Sequence, residues 1–477
     1  MMKKLLIPTY LLFAIVLLAS CRKDLERINK NPNEPVTVQP DYLLSNGIKA
    51  NVDTYWGPDA AMDGTLLYVQ YWSKIQYTDA DRYIAGATGT QNVWSNFYAQ
   101  GIEDFTTLAQ LGDSLHNPNY KAVAVIMRSW IFQQLTDLYG DVPYKQAGQI
   151  AQYLTPVYDS QKDVYTGLLD ELKQAAATIT PGSNNIDGDI LLGGDVTRWK
   201  QFANGLRIRI ALRIADREPT IAKTVFDEVT AGGAGALLPK DAVVKLNYLA
   251  SPNQNPVGRN RETRNDYRIS KSIVDKLKAL NDPRLSIYAT MPKDTNVIIG
   301  VTNGLPSDSA ARLGFSKTSD AGAVFTATTA PAVLFSYAEQ LFILAEAAQR
   351  GLVAGDPLTL YNQAIAASFV QYGLSEAAAA VYAVQPGVAY DALNFKKSIG
   401  EQKWLALFGQ GIEGFTEWRR LDYPQLKAAY AGALGGSMPV RFKYPSSEQA
   451  LNGTNYKAAV ARQGADLLTT KLWFDKY

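Results

Sequence analysis

Histidine and cysteine are almost missing from this chain, which holds one of each, His116 and Cys21. A single cysteine rules out an intrachain disulfide, and a single histidine rules out a zinc cluster of the cysteine/histidine kind. A Ser/His/Asp or Cys/His nucleophile system could be built only around His116. That residue sits in Leu115-His116-Asn117-Pro118, which reads as an exposed loop. An excess of charge of one sign is missing too. Lysine and arginine number 47 against 45 aspartates and glutamates. Setting aside Lys3 and Lys4 near the N-terminus makes the two equal, so neither nucleic acid nor an acidic lipid surface is expected as a partner. Beyond the first twenty residues there is no run of roughly eighteen apolar residues that could cross a bilayer.

What is present is apolar and aromatic. With 477 residues, 47% of them hydrophobic, the chain can bury a large core. Its 27 tyrosines and 8 tryptophans join an apolar body to a polar edge, and some of them are expected to face a ligand. Residues 1–20 read as a secretion leader, with Lys3 and Lys4 before an apolar stretch over Tyr10 to Ala19. Leu18-Ala19-Ser20-Cys21 then resembles the bacterial lipobox, which predicts lipid attachment at Cys21. Arg22-Lys23-Asp24 is similar to the charged signal that sends Bacteroidetes lipoproteins to the outer surface. Residues 21–40 hold Asn31-Pro32-Asn33-Glu34-Pro35, where proline favours extended chain, and read as a polar tether.

From residue 41 to 477 one globular unit is expected, mainly helical with minor strand. A helix is predicted from Ser336, with Glu339 completing a capping box and Gly351 as the stop. A second, over Leu358 to Phe369, follows the turn Gly355-Asp356-Pro357. The pair resembles a tetratricopeptide hairpin, with Ala345, Ala348 and Ala364 where helices approach closely. Thr197 is the expected cap of a helix carrying Trp199, Phe202, Ala203, Leu206 and Ile210. Further helices are predicted near 60–76, 92–111, 120–138, 162–180, 271–280 and 394–408, with strand pieces at 243–246 and 297–301. Long loops over 247–267 and 291–331 suggest functional surfaces.

Several segments are similar, in order, to the SusD/RagB-like nutrient-binding outer-membrane lipoproteins of Bacteroidetes, in their SusD-like branch. They include Leu138-Tyr139-Gly140-Asp141-Val142-Pro143-Tyr144, Gly194-Asp195-Val196-Thr197-Arg198-Trp199, Phe202-Ala203-Asn204-Gly205-Leu206-Arg207, and Asp282-Pro283-Arg284-Leu285. Ser336-Tyr337-Ala338-Glu339, Gln402-Lys403-Trp404-Leu405-Ala406-Leu407-Phe408 and Pro439-Val440-Arg441-Phe442-Lys443-Tyr444-Pro445 continue the series. The resemblance implies a SusD-like fold with four tetratricopeptide-like hairpins and a ligand surface built on loops. It implies a glycan or similar nutrient, such as a peptide, as ligand and no cofactor. A SusC-like TonB-dependent transporter is the implied partner, over which the lipoprotein acts as a lid at the outer membrane. Two departures stand out: Arg419-Arg420-Leu421-Asp422 where the family often has Arg-Arg-Thr-Gly, and Trp473-Phe474 where it often has Trp-Trp.

The ligand-site candidates are Trp56, Tyr71, Trp72, Tyr77 and Tyr83, which with Tyr68 form the densest aromatic stretch. A sugar ring has one apolar C–H face that an exposed aromatic plate can cover while nearby amides and charges orient the hydroxyls. Helical spacing gives Tyr68, Tyr71 and Trp72 an equally plain reading as core, whereas Trp56 and Tyr77 fall nearer helix ends. Arg259, Arg261, Arg264 and Arg268 could present donors to a polar ligand or to the transporter, or be pinned by internal salt bridges. Arg209, Arg213 and Arg217 recur every four residues, as in a solvated or carboxylate-paired stripe. Gly409, Gly411 and Gly414 have the spacing of a dinucleotide loop but lack its strand, and Asp187-Gly188-Asp189 reads as a plain turn. Two other functions stay open: a surface glycoside hydrolase using Glu413 and Glu417, or Glu339 and Glu346, and a tetratricopeptide-type adaptor with no small ligand.

Overall fold

Five of the longer helices in the computed structural model start where the sequence supplies a capping side chain. The structure describes residues 38–84, 86, 89–182 and 184–475; the leader, Cys21 and nearly all of the tether lie outside them. In chain order the longer helices are α1 (Pro40–Trp56), α2 (Glu103–Ser114), α3 (Pro118–Tyr139), α4 (Gln161–Thr178), α5 (Val196–Ile214) and α6 (Pro219–Ala231). They continue with α7 (Tyr337–Gln349), α8 (Pro357–Gln371), α9 (Phe395–Ala406), α10 (Gly411–Leu421) and α11 (Gly453–Gln463). The side chains of Asn117, Ser160, Ser336 and Asp356 each accept a backbone N–H in the first turn of the helix that follows. Past α7, Gly351 takes φ +71°, a conformation glycine adopts without strain, and stops the helix as its position in the sequence predicts.

Each of α2 to α5 packs on its successor, and α7 packs on α8 with Ala345 and Ala364 fully buried. The helices α5, α7, α9 and α10 converge, so one hydrophobic core runs from Leu44 in α1 to Phe474. Strand is confined, among the described residues, to three two-stranded antiparallel ribbons. They pair β1 (Trp72–Lys74) with β5 (Tyr267–Ile269), β2 (Val142–Pro143) with β3 (Tyr158–Asp159), and β4 (Val243–Leu246) with β6 (Ala332–Ser336).

Four local expectations are corrected. The helix predicted over 60–76 is a π-helical segment, Pro58–Thr65, then one short turn and β1. Gly64 leaves helical geometry at φ −125°, ψ −106°, and a Cβ there would lie 2.9 Å from Phe442 Cζ. Gln70, at φ +57°, then turns the chain into the strand. The cap of α5 is Asp195, which accepts from the Arg198 N–H, and not Thr197. Of the strand expected at 297–301 only a bridge between Val301 and Ser270 forms. Glu339 makes no capping box, because its carboxylate is taken by Arg209 at 2.7 and 2.8 Å.

That last contact belongs to an ionic network inside the helix bundle, where the arginine stripe turns inward. Arg213 of α5 reaches Asp137 of α3 and both Glu413 and Glu417 of α10, and all four are buried. Arg420 binds Glu346 at 2.6 Å and Glu417 at 2.7 Å, and Lys403 binds Glu417 at 2.8 Å. Burial alone would raise the Glu417 carboxyl, but Arg420, Lys403 and Arg213 together hold it well below the usual glutamate value. A carboxyl with a depressed folded-state pKa stabilises the fold above its unfolded value and loses that contribution as pH falls. The stability difference between the wild type and Glu417→Gln should therefore be constant near neutrality and shrink as pH drops below 4.5. Denaturant melts of both proteins between pH 7 and 3 check this, and a difference independent of pH would refute it.

Candidate functional site

The β1–β5 ribbon carries two loops, and the surface between them is the best candidate site. Lys74 pairs across the ribbon with Tyr267, and the Ile75 N–H donates to the Asp266 carbonyl at 2.8 Å, so residues 75–80 leave beside residues 263–266. Asp81 latches the first loop from below. Its buried carboxylate accepts from Ser73 Oγ (2.8 Å), the Lys74 N–H (3.1 Å), Asn303 Nδ2 (2.7 Å) and the Gly304 N–H (2.8 Å). Burial pushes this carboxyl above its usual range, although the four donors oppose the shift. The Thr78 N–H adds a bond to Ser307 Oγ at 3.3 Å.

On that base Tyr77 stands out of the surface, 61% exposed and in the left-handed region at φ +52°. The Arg264 guanidinium lies 5.3 Å from its ring centroid and is fixed by a two-pronged bond to Asp266 at 3.0 and 2.9 Å. Asp266 also pairs with the buried ammonium of Lys74 at 2.9 Å, and Lys74 in turn reaches Asp63 at 2.7 Å. Lys74 and Arg264 hold the Asp266 carboxyl below its usual value against the cost of burial. The hollow so formed has a volume of about 840 Å³. Exposed Gln76, Asp79, Thr263 and Asn265 give its rim amide, hydroxyl and carboxylate groups beside one aromatic plate. Such a surface can cover the apolar face of a polar ring and bond the groups around its edge; among the described residues no histidine, cysteine and carboxylate cluster is placed to hold a metal.

Of the five aromatic candidates, the structure leaves Tyr77 on the surface and corrects the other four. Tyr71 is fully buried, donates its hydroxyl to the Trp404 carbonyl at 2.6 Å and packs on Trp404 and Phe408. Trp72 packs on Tyr267, and Tyr83 sits edge-on to Tyr68. Trp56 is buried with its ring N–H on the Val333 carbonyl, though its ring edges a different cavity. Trp56 ends α1, Tyr71 and Trp72 lie at the start of β1 and Tyr83 in a turn, and all four rings face the core. The arginines between 259 and 268 are largely pinned from within, Arg261 by Asp320 and Arg264 by Asp266. Asp63 and Lys74 went unnoticed in the sequence, since nothing local couples them to an aspartate near residue 266.

The other readings fall into place. Glu413 and Glu417 meet on Arg213 inside the core, as Glu339 and Glu346 meet arginines there, so neither pair lines an open cleft. Gly411 and Gly414 serve close packing, since a Cβ on them would fall 2.4 Å from Thr65 Oγ1 and 2.6 Å from the Tyr71 hydroxyl. Asp189 accepts from the N–H groups of Leu191, Leu192 and Gly194 and from the Trp199 indole, which makes it the pin of a turn. His116 is exposed at φ +51°.

A mainly helical body with short ribbons, presenting a polar hollow with an aromatic plate, is a binding-protein architecture, and no helix among the described residues is long and apolar enough to cross a membrane. Residues 32–445 match the SusD-like family described as starch-binding, associating with the outer membrane, and the chain belongs to that family. Solved structures agree. A protein described as chitin-binding is 28% identical, with a TM-score of 0.80 over 92% of this chain and 100% of its own. A chitin-binding SusD homologue from Flavobacterium johnsoniae is 25% identical, with a TM-score of 0.76 over 92% and 96% of the two chains. A SusD homologue from Bacteroides fragilis, also 25% identical, gives 0.76 over 92% and 100%. No curated protein matches the sequence significantly.

Proposed function

We propose that this chain is a cell-surface lipoprotein that holds glycan chains at the Tyr77 hollow and passes them, as a lid, to a SusC-like TonB-dependent transporter in the outer membrane. It binds and does not cleave. The observation that carries the reading is Tyr77 itself, a large ring held in the open by a left-handed backbone and an arginine clamped beneath by Asp266. Family membership supports a nutrient ligand and an outer-membrane setting. The two chitin-binding neighbours make chito-oligosaccharides the first ligand to try, and the family description makes malto-oligosaccharides the second. Lipidation at Cys21 and the transporter partnership rest on the lipobox-like sequence and the family resemblance.

Protein lacking residues 1–21 should retain one of these oligosaccharides unaltered. Tyr77→Ala should weaken retention about tenfold, the ~1.4 kcal/mol that a stacked aromatic contact contributes. Affinity electrophoresis and product analysis by chromatography provide the check. Unchanged affinity in Tyr77→Ala would move the site elsewhere, and cleavage of the oligosaccharide by the purified protein would replace the binder with a hydrolase. Recovery of an outer-membrane barrel with no affinity for any sugar or peptide would favour the adaptor.

A further inference from the structure

A smaller hollow, of about 370 Å³, lies beside the one at Tyr77. Two segments connect them, because the short helix Pro256–Arg261 packs on the π-helical segment Pro58–Thr65. At one end of that contact, Asp63 and residues 263–266 line the Tyr77 hollow; at the other, Asp59 and Arg259 line the smaller one. Asp59 precedes Asp63 by four residues, and Arg259 precedes Thr263 by four, roughly one helical turn in each case. The two hollows are therefore neighbours on one surface. Their shared floor is closely seated, since a Cβ on Gly258 would fall 2.5 Å from the Thr328 backbone.

No lining residue of the smaller hollow is aromatic, and polar groups dominate it. Its carboxylates are held in place: Asp53 of α1 accepts from the Tyr248 hydroxyl at 2.6 Å and pairs with Lys49, and Asp59 accepts from Asn92 Nδ2 at 2.9 Å. Three lining side chains stay open. Arg259 is exposed, and its guanidinium has no ion pair or hydrogen bond among the described residues, whereas Arg261, Arg264 and Arg268 each face an aspartate. The side-chain amides of Asn96 and Gln100 are likewise without a partner among them. Lys49 and Arg259 balance Asp53 and Asp59, so the lining carries no net charge.

We propose that the smaller hollow is a second subsite and that the ligand is an extended, uncharged oligosaccharide spanning both hollows, an inference that rests on reading the Tyr77 hollow as a glycan site. Tyr77 covers one ring of the chain. A ring further along is held by polar bonds alone. The Arg259 guanidinium can donate to two neighbouring oxygens at once, and each amide supplies a donor and an acceptor, which suits a hydroxyl-rich group. With its charges balanced, the lining gives a carboxylated or sulfated sugar no advantage over a neutral one.

Chito-oligosaccharides and malto-oligosaccharides of two and six sugar units are the probes, titrated calorimetrically into protein lacking residues 1–21. In the series that binds, the six-unit chain should bind at least about tenfold more tightly than the two-unit chain. Arg259→Ala removes a charged donor and should lower affinity for the six-unit chain about tenfold, which brings the ratio between the two lengths close to one. Gln100→Ala should reduce that ratio about threefold. Neither side chain has a partner in the fold, so a cooperative thermal melt should show both variants folded. Equal affinity for the two lengths in the wild type, or a ratio unchanged by Arg259→Ala, overturns the second subsite and leaves the Tyr77 site standing. Failure of every chain in both series to bind overturns the two together.

Discussion

Arg213→Met should lower the stability of this protein by about 3–5 kcal/mol, the usual cost of removing one partner from a buried ion pair. The reason lies in what stays behind. Asp137, Glu413 and Glu417 all turn their carboxylates toward that guanidinium, and all three are buried, Asp137 and Glu413 completely. Asp137 keeps the Tyr165 hydroxyl at 2.5 Å and Glu417 keeps Arg420 and Lys403, but Glu413 retains only a distant contact with Arg209 at 3.7 Å. Folded proteins have roughly 5–15 kcal/mol of stability in total, so the variant should show a much lower denaturant midpoint. Arg198→Met is the control. Arg198 faces Asp195 at 4.0 Å with both side chains solvated, and a surface pair of that kind contributes ~0–1 kcal/mol. Equal midpoints for the two variants would show that the network does not hold the bundle together.

Cys21→Ala should transfer the protein from the membrane fraction to the soluble one. Each acyl CH₂ buried in a bilayer contributes about 0.8 kcal/mol, so several chains on one cysteine make an anchor that does not exchange, whereas the chain without them has no other membrane-spanning element among its described residues. Fractionation of cells expressing the two forms, read by immunoblot, gives the answer. Unchanged membrane retention of Cys21→Ala would remove the lipid anchor from the proposed function.

Much of the helical framework was legible because its signals are local. Ser336 and Asp356 cap helices where a short polar residue precedes an apolar period, and Gly351 ends α7. Where the signal is long-range, the sequence misleads. Arg209 and Arg213 recur at the spacing of a solvated stripe, but the carboxylates that bury them come from residues 137, 339, 413 and 417. Tyr71 and Trp72 carry the composition of a sugar plate and the spacing of a core, and only the packing of Trp404, Phe408 and Tyr267 against them decides between the two. Tyr77 could be told apart in the sequence by lying past the end of that periodicity. The departures from the family pattern prove to be local. Asp422 adopts φ +58° at the place where the family often has glycine, and Phe474 is buried 5.0 Å from the Arg419 guanidinium.

The latch formed by Asp81 and Asn303 has a kinetic meaning. A loop that had to fold around its guest would lose entropy at every encounter and would release slowly once closed. Here the Asp81 carboxylate at the base of the Tyr77 loop is already tied to residues more than two hundred positions away, so a glycan held there as proposed would meet a finished surface. Capture and escape can then both be quick, as the proposed function requires.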